Sequence, residues 1–112
     1  MFTTSSKKSN KKGTAMKIIK RNGELVEFDR SKIIESIREA NDAVENPRER
    51  LLKEDIHFIV SRLYERVRKR TCDTPVEELE DMVSIEIMKE RAYKVANIYI
   101  KNTVKKQTEA NQ

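Results

Sequence analysis

"KIIKRNGELVEFDRSKI", residues 17–33, decides the fold of this chain. Asn22-Gly23 stands between two β-prone runs, 16–21 and 24–28, and Asn-Gly in that setting is the strongest short-range hairpin signal. A two-residue type I′ turn needs positive φ at both central positions, which Asn and Gly tolerate. In the second run Leu25, Glu27 and Asp29 point one way and Val26 and Phe28 the other. A lone hairpin is marginal in water, so one face must pack on the helical part of the chain. The same stretch sets Lys20 and Arg21 against the turn and Lys32 just past the next helix start. That clustering of cations needs a reason.

Working outward, Asp29 is the expected N-cap of a first helix. Ile33, Ile34, Ile37, Ala40 and Val44 then form one apolar stripe at helical spacing. In "ENPRE", Asn46 caps, Pro47 takes the first helical position and Glu49 completes a capping box. A second helix runs from there, or from a split near Lys53, to about Lys69. Its inward face is Leu52, Ile56, Ile59, Val60, Leu63 and Val67. "TPVEE" marks a third start, with Thr74 as cap, Pro75 in the first turn and Glu77 reaching back. Leu79, Met82, Val83 and Ile87 share its inner face. Between Lys89 and Tyr93 the pattern slips with no Gly or Pro, so the chain continues either as two helices or as one bent helix. Ala92, Val95, Ala96, Tyr99, Ile100 and Thr103 form the last stripe, and "KKQTEANQ" frays out. The expected fold is α+β: a small N-terminal β-hairpin and about four helices.

The chain has 112 residues, 37% apolar and 38% charged, which is enough for one domain with one modest core. The net charge of +5 lies mostly at the ends. Residues 1–15 carry four lysines and no acid, and 101–112 carry three lysines and one acid, so the body is near neutral. A whole-surface polyanion partner is therefore not indicated. Residues 1–15 read as a disordered basic tail, and 106–112 as a disordered tail at the other end. No apolar run approaches the ~20 residues of a membrane span, and the N-terminus has no secretory apolar core. Cys72, the single cysteine, allows no intrachain disulfide, which points to a reducing, cytoplasmic setting. It reads as a tolerated loop cysteine, with activation by Arg68, Lys69 and Arg70 as the alternative.

Catalysis finds little support. His57 is the only histidine, and on a helix it reads as a boundary residue. Glu77, Glu78 and Asp81 have no histidine partners and read as a solvated, dipole-friendly helix start. Neither a P-loop nor a dinucleotide fingerprint occurs, and two glycines cannot build a glycine-rich cradle. An anion site must lean on side chains. Lys32 opposes the helix dipole where it stands, and a bound polyphosphate would reverse that penalty. Surface pairing with Glu24, Glu27 or Glu35 is the plain alternative.

"IIKRNGELVEFDRSKI" resembles the opening motif of the ATP-cone family, regulatory domains found at the N-terminus of many ribonucleotide reductases and in the repressor of their genes. The match runs through Lys20, Arg21, Gly23, Phe28, Asp29, Lys32 and Ile33, with Ile18 for the usual Val and Asn22 for the usual Asp. "TPVEELEDMV" resembles the family's third-helix start and "AYKVANIYIK" its last helix, so the likeness covers 16 to about 105. It is closest in flavour to the anaerobic ribonucleoside-triphosphate reductase cone. The resemblance implies a hairpin or three-stranded sheet capping a four-helix bundle, and ATP or dATP between hairpin and helices, with Mg²⁺ arriving on the nucleotide. Lys20, Arg21 and Lys32 would hold phosphates, and Ile18 and Val26 would flank the nucleoside. Asp29 would fix the helix start and Gly23 the turn. Thr74 and Glu78 would lie near the adenine, and Lys105, preferred over Lys101, would close on phosphate. No dedicated metal ligands are expected.

The expected role is an ATP/dATP-binding allosteric module of the ribonucleotide reductase system. It would be freestanding or cut from a larger reductase, and without catalysis of its own. Its partner would be a reductase subunit or a second cone, not nucleic acid and not a membrane. The alternative is a small basic helical interaction or nucleic-acid-binding domain, resting on the tail and on "RVRKR" at 66–70.

Overall fold

A computed structural model describes residues 17–110, with side chains as far as Lys106. The expected tail at 1–15 lies outside the described residues. Strand β1 (Lys17–Ile19) pairs antiparallel with β2 (Leu25–Glu27). Helix α1 (Arg30–Asp42), a short 3₁₀ turn (Pro47–Glu49) and helix α2 (Lys53–Arg68) come next. A two-residue strand β3 (Thr74–Pro75) leads directly into α3 (Val76–Lys89), and α4 (Tyr93–Ala110) ends the described chain. The sheet has three strands in the order β2-β1-β3, with β3 parallel to β1. The fold is thus α+β, a small mixed sheet on four helices.

The hairpin turn differs from the two-residue expectation. The Gly23 amide donates to the Lys20 carbonyl and the Lys20 amide to the Glu24 carbonyl, both at 2.8 Å. Gly23 has φ +88°, whereas Asn22 keeps a negative φ. This is a type I turn closed by a left-handed glycine, a three-residue loop over 21–23. The Asn22 side chain accepts from the Glu24 amide at 2.9 Å, which holds the turn from within. The extra residue sets the register. Ile18 faces Val26, where a two-residue loop would have opposed Ile19 to Val26. Ile18 and Val26 therefore stand side by side on the face toward the helices, Ile18 buried and Val26 half-buried.

Asp29 caps α1 as its position implies. Its Oδ1 accepts from the Ser31 amide at 3.0 Å, the Lys32 amide at 3.4 Å and the Ser31 hydroxyl at 2.6 Å. Phe28, just before the cap, meets Tyr64 of α2 edge-on at 5.7 Å, and the Arg30 guanidinium lies 4.1 Å over the same Tyr64 ring. The end of β2 is thereby fastened to α2.

The second helix is split, as its pattern allowed. Asn46 caps the 3₁₀ turn by accepting from the Arg48 amide at 3.0 Å, but Glu49 does not close a box. Its carboxylate pairs with Lys94 of α4 at 3.1 Å. Helix α2 begins after Leu52, whose amide donates to Asp55 at 3.0 Å. Leu52 itself is 64% exposed, because the break rotates it off the inner face where the periodicity placed it. Buried Asn41 bridges the joint, donating to the Leu51 carbonyl at 3.0 Å and accepting from the Leu51 amide at 2.7 Å.

Helices α1 and α3 each pack on both α2 and α4, which closes a four-helix ring around Ile37, Ile59, Leu63, Val83, Ile87 and Val95. Between α3 and α4 the chain turns at Arg91, whose φ of +64° takes the left-handed position that glycine usually fills. That resolves the joint as two helices without a glycine. Helix α4 runs past residue 106, where fraying was expected, to Ala110. Among the described residues, no helix is long and apolar enough to cross a membrane.

Candidate functional site

A pocket of about 250 Å³ opens between the hairpin, α1, α3 and α4. Ile18 and Val26 from the sheet form one apolar wall, and Val76, Leu79 and Val83 of α3 form the facing one. Lys20, Asp29 and Lys32 stand at the hairpin–α1 side, and Glu80 and Tyr99 line the α3–α4 side. Five of the residues singled out in the sequence are thus brought together: Ile18, Lys20, Val26, Asp29 and Lys32. Register explains the first and third, and the capped start of α1 explains the last two.

The two lysines differ in their surroundings. Lys20 is exposed and reaches Glu24 only at 3.5 Å. Lys32 has no carboxylate within ion-pair distance among the described residues. The amides of Ser31 and Lys32 already donate to Asp29, so an anion here would rely on the lysine side chains rather than on bare helix amides. The Ser31 hydroxyl, then the Lys32 amide, hold the Asp29 carboxyl below its ordinary value, which keeps the cap ionised.

Arg21 goes elsewhere. Adjacent strand-end residues diverge, and Arg21 crosses to α3, where Nη2 donates to both Glu80 oxygens at 2.7 Å. Its Nε lies 3.8 Å from Glu77 and, fully enclosed, makes no hydrogen bond. Gly23 shapes the turn and lies outside the pocket wall. Thr74 is wholly buried in β3 beside Ile18, with its hydroxyl 3.4 Å from Arg70 Nη1, so it neither caps α3 nor reaches the pocket. Pro75 takes the cap position without a side-chain bond. Glu78 points away and pairs with Arg70, whose hydrogen bond holds the Glu78 carboxyl below its ordinary value. Lys105 is exposed on α4 and outside the pocket. One residue further round the helix, Lys106 shares a neighbouring hollow with Lys32 and Ser36.

Sequence reasoning missed Glu80 and Tyr99. Tyr99 stood on the inward stripe of α4 and read as core. Glu80 carried no signal, because only the folded hairpin brings Arg21 to it. Glu86 was missed as well. It is 1% exposed and accepts from Arg62 at 2.7 Å, Arg66 at 3.1 Å and Lys89 at 3.1 Å. Burial pushes its carboxyl up, but the bonds from Arg62 and Lys89 outweigh that and hold it below its ordinary value.

A larger concavity, about 1000 Å³, is a separate groove along α2 and α3 lined by Phe58, Arg62, Arg66 and Glu86. The smaller pocket is the better candidate. It joins the hairpin cations to an apolar slot, whereas Arg62 and Arg66 are engaged by Glu86. The "RVRKR" run is similarly occupied: Arg66 by Glu86, Arg68 by Glu65 and Arg70 by Glu78. His57 and Cys72 are exposed, and no group of three or more potential metal ligands occurs among the described residues.

No curated protein matches the chain. The model of the ATP cone domain family matches residues 16–106, which spans the sheet, all four helices and every wall of the pocket, and the chain belongs to the ATP cone family, whose domains bind nucleotide effectors and serve allosteric regulation.

Proposed function

We propose that this chain binds ATP or dATP in the pocket between the hairpin, α1, α3 and α4. We further propose that it acts as an allosteric module of the ribonucleotide reductase system, without catalysis of its own. The observation that carries the reading is the meeting of Lys20 and Lys32 at the rim of an apolar slot walled by Ile18, Val26, Leu79 and Val83. About 250 Å³ is below the ~300–1,000 Å³ usual for a pocket that encloses a whole ligand. The slot suits part of a nucleotide and leaves the triphosphate on the rim. There Lys20 and Lys32 supply compact positive charge, with Lys106 in the adjoining hollow as the α4 cation in place of Lys105. Arg21 acts from behind, holding Glu80 and tying the turn to α3, rather than touching phosphate first. Mg²⁺ would arrive on the phosphates and use no dedicated protein ligands.

Nucleotide occupancy would act through differential affinity for two arrangements of the cone. Its readout would be a reductase subunit or a second cone, in a cytoplasmic setting. Calorimetric titration with ATP and with dATP at two salt concentrations tests the reading. Saturable binding with a shallow salt dependence is expected. Binding to nucleic acid with a steep salt slope, and none to nucleotide, would instead favour a basic interaction domain.

A further inference from the structure

Tyr99 is 5% exposed and lines the pocket, yet its hydroxyl makes no hydrogen bond among the described residues. Buried tyrosine hydroxyls ordinarily find a partner. Arg21 Nε is the one fully enclosed side-chain polar atom without a partner among the described residues. The Tyr99 oxygen is therefore not sealed in the core. It retains open space beside it, and the space Tyr99 borders is the pocket. Glu80 lines the same wall from α3, held in place by Arg21 through both of its oxygens. An ionised carboxylate has about four lone-pair sites, so a carboxylate already held by a guanidinium can still accept from a ligand hydroxyl.

We propose that Tyr99 and Glu80 form a sugar-reading wall, on which the Tyr99 hydroxyl and the Glu80 carboxylate hydrogen-bond the ribose hydroxyls of the nucleotide and so distinguish ribose from 2′-deoxyribose. The inference rests on the nucleotide reading of this pocket and deepens it. The arrangement of the pocket favours sugar over the other parts of the ligand. The phosphates belong with Lys20 and Lys32, where a carboxylate such as Glu80 would repel them. The base belongs between the aliphatic walls of Ile18, Val26, Leu79 and Val83. The sugar lies between base and phosphates in the ligand. It carries the neutral hydroxyl donors that suit a fixed carboxylate and a hydroxyl that both donates and accepts. A site built to bond a hydroxyl discriminates against the analogue lacking it, because its own buried polar groups are left unpaired.

The test is calorimetric titration of the wild-type chain, Tyr99→Phe and Glu80→Gln with ATP and with dATP. Tyr99→Phe keeps the buried ring, and circular dichroism checks that both variants remain helical. The expected result is that Tyr99→Phe weakens ATP roughly fivefold while leaving dATP nearly unchanged, the scale of one neutral hydrogen bond. Glu80→Gln should shift the ATP/dATP ratio in the same direction. If the wild type binds nucleotide and neither variant changes the ratio, the sugar-reading wall is overturned while the nucleotide site stands. If the wild type binds neither nucleotide, the underlying reading fails and takes this inference with it.

Discussion

Arg21 on the hairpin turn and Glu80 on α3 are joined by one guanidinium nitrogen that lies 2.7 Å from both carboxylate oxygens. The pair is largely shielded, with side-chain exposures of 21% and 13%. It ties the most local element of the fold to a helix 59 residues away in sequence. A double-mutant cycle with Arg21→Ala and Glu80→Ala should return a coupling energy of about 1 kcal/mol, measured by urea denaturation. A coupling near zero would mean that the turn is held by sheet pairing alone.

Glu86 anchors the second polar cluster. Removing its carboxylate leaves Arg62, Arg66 and Lys89 facing one another across α2 and α3. Glu86→Ala should destabilise the chain by about 2 kcal/mol, less than for a fully buried pair because the cations keep partial contact with water. Thermal and urea unfolding check this.

The same carboxylate predicts a pH dependence. In the folded chain Glu86 is held below its ordinary value of 4.5, and Glu65, Glu78 and Asp29 are lowered in the same direction. Folded carboxyls then bind protons less readily than unfolded ones. Their contribution is complete above the unfolded pKa and is lost as pH falls through the lowered folded values. Urea midpoints should be level near neutral pH and fall below about pH 4.5. Glu86→Gln should show a shallower acid loss than wild type.

Asn41 is the structural counterpart of these charges. Its reciprocal bonds with Leu51 satisfy the backbone where α1 turns toward α2. Asn41→Ala strands a buried amide and a buried carbonyl, and should cost about 2 kcal/mol in chemical denaturation. Arg91 offers the opposite sign. Its left-handed backbone is strained for any residue with a Cβ, so Arg91→Gly should stabilise by about 0.5 kcal/mol and raise the melting temperature by roughly 2–4 °C.

Much of this molecule was legible because its signals are local. Asp29 caps the helix that the spacing of Ile33, Ile37 and Ala40 announced. The inner faces of α2, α3 and α4 match their stripes, apart from Leu52 at a helix break and Ile100, which is half-buried while Ile98 packs on the core instead. The features that were not legible depend on long-range contact. Strand β3 is two residues long, too short for any alternation, and its Thr74 looked like a cap because Thr-Pro-Val-Glu is a common helix start. The hairpin loop gained a residue because Asn-Gly fits both a type I′ turn and the end of a type I turn, and only the φ of Asn22 separates them. Within the site, Lys20 and Lys32 come from local geometry. The placement of Arg21 against Glu80, and of Glu80 and Tyr99 on the pocket wall, comes from how the hairpin docks on α3 and α4, which no spacing encodes.

In the proposed function, the hairpin-side lysines Lys20 and Lys32 hold the nucleotide. The most direct measurement is calorimetric titration of ATP into the wild-type chain and into Lys20→Ala/Lys32→Ala, with circular dichroism confirming that both are folded. Saturable binding to the wild type is expected, with at least a roughly tenfold weakening in the variant, since two charge-assisted contacts are lost. Equal affinity in a folded variant, or no binding to the wild type, would contradict that role.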